Sequence, residues 1–318
     1  MKTQNLKLLG IAALAAVGTL SASRANANIL TGVLSDTLNY RVLYEGAGGH
    51  NLQMSSDDSV NPGWIGIGGT GHFQNSGGTV GPINGNVNFS AANTGQLSNS
   101  GTISGAVSYN VSQVTTDLTN LNSFSSTIGS LTGTALSINN VSETIYAGSG
   151  HGSSSGNYQT SGGNTYSVFN VASGSFQNWN GNTTLTINGS ASQNVVINFQ
   201  GTSNINISGP IVLTGGIVPD DVLFNFPAGS GLSGGPKLMV QGNNSSYVYG
   251  IFLDPNGAMS LENATLDGRF FGGDSADDMV VSGAYIVPEP ASLGLMALGG
   301  LALLFRRRRA GNAASIRI

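Results

Sequence analysis

Ile83-Asn84-Gly85-Asn86-Val87-Asn88-Phe89 is answered 20 residues later by Ile103-Ser104-Gly105-Ala106-Val107-Ser108-Tyr109, the two units agreeing in chemistry everywhere except where Asn86 faces Ala106. Apolar residues near alternate positions, with Gly between, read as short strands joined by tight turns. Repeats of this length suggest the rungs of a solenoid. The rhythm returns after Thr183 in Thr184-Leu185-Thr186-Ile187, Val195-Val196-Ile197-Asn198-Phe199, Ile205-Asn206-Ile207, Ile211-Val212-Leu213 and Val222-Leu223-Phe224-Asn225-Phe226. It continues through Leu238-Met239-Val240, Tyr247 to Leu253 and Met279-Val280-Val281. Such strands fit either a sandwich or a parallel β-helix. Because two-residue Asn-Gly loops between matching strands are scarce and the repeat is rung-like, a right-handed parallel β-helix is the expected all-β fold.

One segment departs from this rhythm. Val114, Leu118, Leu121, Phe124, Ile128 and Leu131 are spaced by 4, 3, 3, 4 and 3, one apolar stripe on a helix starting near Ser112 and ending by Gly133. Its other face is Thr, Asn and Ser, so the helix is expected to flank the β-structure; two short strands are the alternative. The Gly/Ser-rich stretch Ala147 to Gly163 is expected to be a mobile surface loop.

Both ends read as addresses and not as fold. Lys2 and Lys7, an apolar run from Leu8 to Leu20 and the small-residue site Ala25-Asn26-Ala27 predict a secretory signal peptide over residues 1–27. Residues 287–318 carry Val287-Pro288-Glu289-Pro290, an apolar run from Ala291 to Phe305, and Arg306-Arg307-Arg308-Arg309. The run makes about 22 Å of helix, short against about 30 Å of hydrocarbon. Four arginines are costly beside a buried helix and favoured at a cytoplasmic membrane face, which predicts a transmembrane helix. The tail resembles the PEP-CTERM sorting signal. That resemblance implies a Gram-negative, exopolysaccharide-producing source and an inner-membrane intermediate cut by an exosortase. It also implies a mature protein at the cell surface or in the extracellular matrix, processed as well by signal peptidase.

The remaining residues 28–286 hold Arg41, Lys237 and Arg269 against 14 acidic residues, a net charge of −11. A phosphate-tracking surface needs clustered cations, so nucleic-acid binding is excluded. The absence of cysteine removes disulfides and thiolate chemistry.

Tyr166-Ser167-Val168-Phe169-Asn170-Val171, Leu213-Thr214-Gly215-Gly216-Ile217, Tyr249-Gly250-Ile251-Phe252-Leu253-Asp254-Pro255-Asn256 and Leu266-Asp267-Gly268-Arg269-Phe270-Phe271-Gly272 resemble blocks of the choice-of-anchor A family. The resemblance covers about residues 34 to 286. It implies an exported bacterial surface protein, similar in layout to β-helical ice-binding and adhesin domains with a flanking helix. The sequence departs from the family's blocks at Asp254 and at Arg269-Phe270-Phe271, departures expected to affect local surface chemistry.

Catalytic residues are hard to nominate. His50, His72 and His151 all adjoin glycine and read as turn or loop positions, with no serine elbow nearby. Asp220-Asp221 and Asp277-Asp278 would point to opposite faces of a strand, so they do not form the convergent pair a glycosidase needs. Arg269 is the lone candidate base of a lyase and reads better as a salt-bridged or rim residue. Asp274, Asp277 and Asp278 supply oxygen ligands of the kind Ca²⁺ accepts, but without calcium-loop spacing; a solvated acidic turn is the simpler expectation, as for Ser55-Ser56-Asp57-Asp58. An ice-binding array would need small hydroxyls in register, and Thr183, Thr184 and Thr186 form the only dense cluster after residue 166. A non-enzymatic surface or matrix protein without cofactor, associated with exopolysaccharide or biofilm, is therefore expected. The alternative is a carbohydrate- or surface-binding adhesin module with a row of exposed aromatics, candidates being Trp64, Tyr158, Tyr166 and Trp179; a polysaccharide-active enzyme ranks third.

Overall fold

The computed structural model describes residues 28–34, 40–46, 49–81, 84–92, 95–137, 141–172, 178–179, 183–201, 204–227, 237–242, 247–255, 257–273 and 277–287. The expected signal helix and transmembrane helix lie outside them. What is described is a parallel β-helix with one flanking helix, its rungs joined by parallel ladders that form three faces.

The broad face stacks Val107–Ser108, Val87–Phe89, Trp64–Ile67, Tyr40–Tyr44, Thr265–Gly272, Tyr247–Asp254, Val222–Asn225, Asn194–Phe199, Asn164–Val171 and Thr134–Ala135, in that order. This is not the order of the sequence. The chain enters the middle of the stack at Tyr40 and winds to one end by Ser108. It then runs through the helix Ser112–Gly129 to Thr134–Ala135 at the opposite end, and winds back until Thr265–Gly272 meets Tyr40–Tyr44. A seam therefore joins an N-terminal stack to a C-terminal one, with Val42 opposite Phe270, Leu52 opposite Met279 and Ser59 opposite Tyr285 on the three faces.

The helix explains the composition of the broad face. Val114, Leu118, Leu121 and Ile128 are buried, and Phe124 and Leu131 pack beside them, against Tyr40, Leu43, Val168, Val196, Leu223 and Phe271. Both sides of these strands are thus covered, so Tyr40–Tyr44 and Asn194–Phe199 are buried at every position where a half-exposed strand would alternate. Polar groups fix the helix in place. The Asn198 side-chain amide donates to the Ile128 carbonyl (3.0 Å), Asn225 donates to the Ser125 carbonyl (3.0 Å), and the Ser125 hydroxyl donates to Asn225 Oδ1 (2.6 Å). Inside the solenoid Phe224 stacks on Phe252 with ring centres 4.7 Å apart, and Phe199 on Phe226 at 4.5 Å. Such pairs each contribute about 0.5–1.5 kcal/mol beyond area burial.

Tyr247–Asp254 and Thr265–Gly272 turn a corner within one strand and so serve two faces. Gly250 and Gly268 are paired at that corner with φ of 120° and 154°, and a Cβ on Gly268 would lie 1.9 Å from the Gly250 carbonyl oxygen. Only glycine fits so close an approach.

The helix starts at Ser112 and ends at Gly129, with Ser130 as its C-cap, within the bounds its apolar stripe predicts. Two other expectations change. The Ala147–Gly163 stretch is only partly loop, since Asn157–Ser161 pairs antiparallel with Asn164–Val171 across Gly162-Gly163, both at positive φ. A two-residue turn of this kind matches the strand twist, and a glycine-rich composition conceals it. Finally, Asp254, Arg269, Phe270 and Phe271 are all buried, so the departures from the choice-of-anchor blocks are core features and not surface ones.

Candidate functional site

Three of the nominated acids, Asp220, Asp58 and Asp278, are used at the seam. Asp220 sits in a 3₁₀ turn, Pro219–Asp221, and receives Nε (2.9 Å) and Nη2 (2.7 Å) of Arg269, which also donates from Nη1 to the Tyr40 carbonyl (3.1 Å). Arg41 lies 3.9 Å away and donates to the Gly268 carbonyl, while the Asn28 side-chain amide donates to Asp220 from the other side. Burial would raise the Asp220 pKa, yet the Arg269 hydrogen bond and the charges of Arg269 and Arg41 outweigh it and hold the carboxyl below the usual aspartate value. Arg269 is thus salt-bridged and only 1% exposed, which removes it as an accessible base.

The other two faces use carboxylates in the same way. Asp58 receives the Ala284 amide across the seam at 2.9 Å and the Ser55 amide within its own turn; burial is the larger effect and raises its pKa despite these bonds. Asp278 accepts the Asn51 backbone amide (2.7 Å) and the Gln53 side-chain amide, with His50 Nδ1 at 3.5 Å. The acidic turns are therefore inter-rung fasteners and not simply solvated. Asp274 lies outside the described residues, among which no group of three or more His, Asp or Glu could hold a metal. His72 opens a strand instead of sitting in a loop, and His151 stacks on Tyr146, with ring centres 3.6 Å apart.

The second face has the arrangement the sequence hides. Tyr247, Thr265, Tyr285, Ser59, Thr79 and Thr102 are register partners in succession, each pointing outward opposite a buried neighbour such as Val248, Ile286, Val60 or Val80. At about 4.8 Å per rung, this one column of hydroxyls runs about 24 Å. It opens with Tyr247 (53% exposed) stacked against Tyr249, and Tyr285 (49%) projects two rungs on. Beside Tyr285 lies a cleft of about 280 Å³ lined by Asp57, Asn263, Ala264, Thr265 and Gly283. Farther along the face, Thr144, Thr186 and Val212 form a shorter outward row, and Tyr146, Asn188 and Thr214 another. Thr183 is buried.

Among the described side chains, the aromatic candidates do not form a row. Trp64 packs edge-on against Tyr40 at 5.7 Å, Tyr166 is buried, and Tyr158 is exposed but donates its hydroxyl to the Ala147 carbonyl. Trp179 is placed in a strand, and its side chain lies outside the description. The exposed tyrosines that share a face are Tyr247 and Tyr285. Sequence separation concealed them, because Tyr285 is bracketed by Thr265 and Ser59 only once the seam has closed.

The sequence matches the model of the ice-binding-like adhesive domain family over residues 12–278. The chain belongs to that family. It is related to the choice-of-anchor A proteins. Residues 287–309 match the PEP-CTERM protein-sorting motif, beginning at the last described residue, Val287, and the two matches together mark an exported, cell-surface-directed bacterial protein. No curated protein matches the chain. Among solved structures it is similar to an ice-binding protein from the Antarctic ascomycete Antarctomyces psychrotrophicus, with 16% identity over 76% of this chain and 94% of that one and a TM-score of 0.43. It is also similar to an ice-binding protein from an Arctic yeast, with 15% identity over 81% and 94% and a TM-score of 0.47. For an ice-binding protein from an Antarctic bacterium of the Flavobacteriaceae the values are 13%, 83%, 49% and 0.42.

Proposed function

We propose that this is a non-enzymatic adhesive protein of the cell surface or extracellular matrix, released from its signal peptide after Ala27 and from its PEP-CTERM tail by an exosortase. Its binding surface is the second face, and its ligand a hydroxyl-rich polymer such as matrix exopolysaccharide. The in-register column from Tyr247 to Thr102 carries this reading, because a row of hydroxyls that includes two exposed tyrosine rings offers stacking and hydrogen bonding without a catalytic group. The cleft beside Tyr285 has one carboxylate among its lining residues, Asp57, where glycoside hydrolysis uses two.

The test is co-sedimentation of residues 28–287 with exopolysaccharide from the producing cells. Removing an exposed stacking ring costs about 1–2 kcal/mol, so Tyr247→Ala and Tyr285→Ala should each weaken binding about five- to thirty-fold. Unchanged binding in the double variant would rule out this face. Mass spectrometry of the surface and secreted fractions checks the processing. Termini at Asn28 and before Ala291 are expected, and a surface peptide running through Phe305 would contradict removal of the tail.

A further inference from the structure

The two ends of the solenoid are finished differently. At one end the antiparallel strand Asn157–Ser161 lies against Asn164–Val171, and the 3₁₀ turn Gly152–Ser154 follows the His151–Tyr146 stack. At the other end, Leu97–Asn99, Thr102–Ile103 and Val107–Ser108 are, among the described residues, the last strands of the three faces, each paired there only with the rung beneath. Their apolar residues Leu97, Ile103, Val107 and Tyr109 stay half-buried, whereas their counterparts one rung down, Phe73, Val80, Val87 and Phe89, are fully buried. Tyr109 already continues the stack on Phe89, with ring centres 5.0 Å apart.

This last rung is the second copy of the seven-residue repeat, so it presents outward what an interior rung presents to its neighbour. Solenoid ends ordinarily carry polar caps, and free strand edges carry charge, lysine above all. Here the edges carry no charge, for no Asp, Glu, Lys or Arg occurs from Ser59 through Thr116. Every charge behind the net −11 of residues 28–286 lies elsewhere in the chain.

We infer that this end is a self-association surface that receives the same end of a second copy of the chain. Two copies carrying −11 each repel over most of their surfaces, and this charge-free end is where they can meet without that cost. One open end meeting its equal gives a closed two-fold dimer with antiparallel edge pairing, not a filament. Because the edges are two or three residues long, the dimer dissociates on dilution.

Sedimentation of residues 28–287, which hold every described strand and the helix, over a concentration series should show a mass rising from one chain to two and stopping there. Ser98→Lys with Thr102→Lys, both at exposed positions, sets four new cations against one another across the two-fold and should weaken the dimer at least about tenfold. Thr144→Lys with Thr160→Lys, toward the other end, should leave it intact. Monomer at all concentrations, a dimer surviving Ser98→Lys/Thr102→Lys, or an open-ended series of masses would overturn the inference. Should the lysine variant fail to fold, Ala106→Cys and Ser149→Cys in this cysteine-free chain can be treated with a short bis-maleimide. Dimer cross-linking through Ala106→Cys alone supports the inference, and equal cross-linking of both, or of neither, refutes it.

Discussion

Replacing Arg269 with Met tests whether the seam depends on its buried charge cluster. Met preserves much of the side-chain volume, so the loss is mainly that of two bonds to Asp220 and one to the Tyr40 carbonyl. Hydrogen bonds to charged groups are worth about 1.5–3 kcal/mol each, and stripping one partner from a buried pair costs about 3–5 kcal/mol. Asp220 keeps Arg41 at 3.9 Å and the Asn28 amide at 3.3 Å, which places the expected loss at the lower end, about 3 kcal/mol. For a domain of this size, that is a fall in Tm of roughly 6–12 °C. Urea unfolding followed by circular dichroism measures the first quantity and calorimetry the second. Asp220→Asn should be similarly harmful, but Arg269→Met combined with Asp220→Leu should recover much of the loss, since no unpaired carboxylate remains. A loss below about 1 kcal/mol for Arg269→Met, or simple additivity in the double variant, would show that the cluster does not hold the seam.

Asn225→Ala removes both bonds to Ser125 and the 2.9 Å bond to Asn198 at a fully buried position, leaving acceptors stranded. It should cost about 3–5 kcal/mol and raise hydrogen-exchange rates first in Ser112–Gly129, an order of events that amide exchange would reveal. The pH dependence should have two opposed parts. Asp220 has a lowered pKa in the folded state, so its contribution is full above the unfolded aspartate value of about 3.9 and is lost as pH falls through the folded value; Asp220→Asn should flatten the acid limb of the stability curve. Asp58 and Glu45 are raised, chiefly by burial, so their effect runs the other way: the folded state binds the proton more tightly, and stability declines as pH rises from their unfolded values to their folded ones. Asp58→Asn should reduce that decline in chemical denaturation measured across the same interval.

The strands were legible because their physics is local. Val195 to Phe199 and Tyr247 to Leu253 are apolar runs bounded by turn residues, and the structure places strands at Asn194–Phe199 and Tyr247–Asp254. The helical stripe was legible for the same reason, its period being a property of one segment. The order of stacking was not, because a parallel rung can pair with any rung of matching shape, and nothing in Tyr40-Arg41-Val42 names Arg269-Phe270 as its neighbour. The hydroxyl column inherits that blindness, since its six members come from residues 59 to 285 in an order set by the seam. Arg269 is salt-bridged, one of its two expected roles, but its partner Asp220 lies about 50 positions away. Asp278 misled for a related reason: its flanking residues suggested a solvated turn, while the groups that bind it, Asn51 and Gln53, lie more than 220 positions away.

The seam also sets a schedule. A chain emerging from its N-terminus delivers Tyr40–Tyr44 early and Thr265–Gly272 almost last, so the middle of the finished stack is the final part to be assembled. Until then the early rungs keep an open edge at the seam, and such edges attract other chains. The closing strand Tyr285–Val287 ends where the sorting motif begins. A chain that stops short of this strand loses the rung that closes the middle and the address that directs it to the surface together, so incomplete products are not sorted as finished ones.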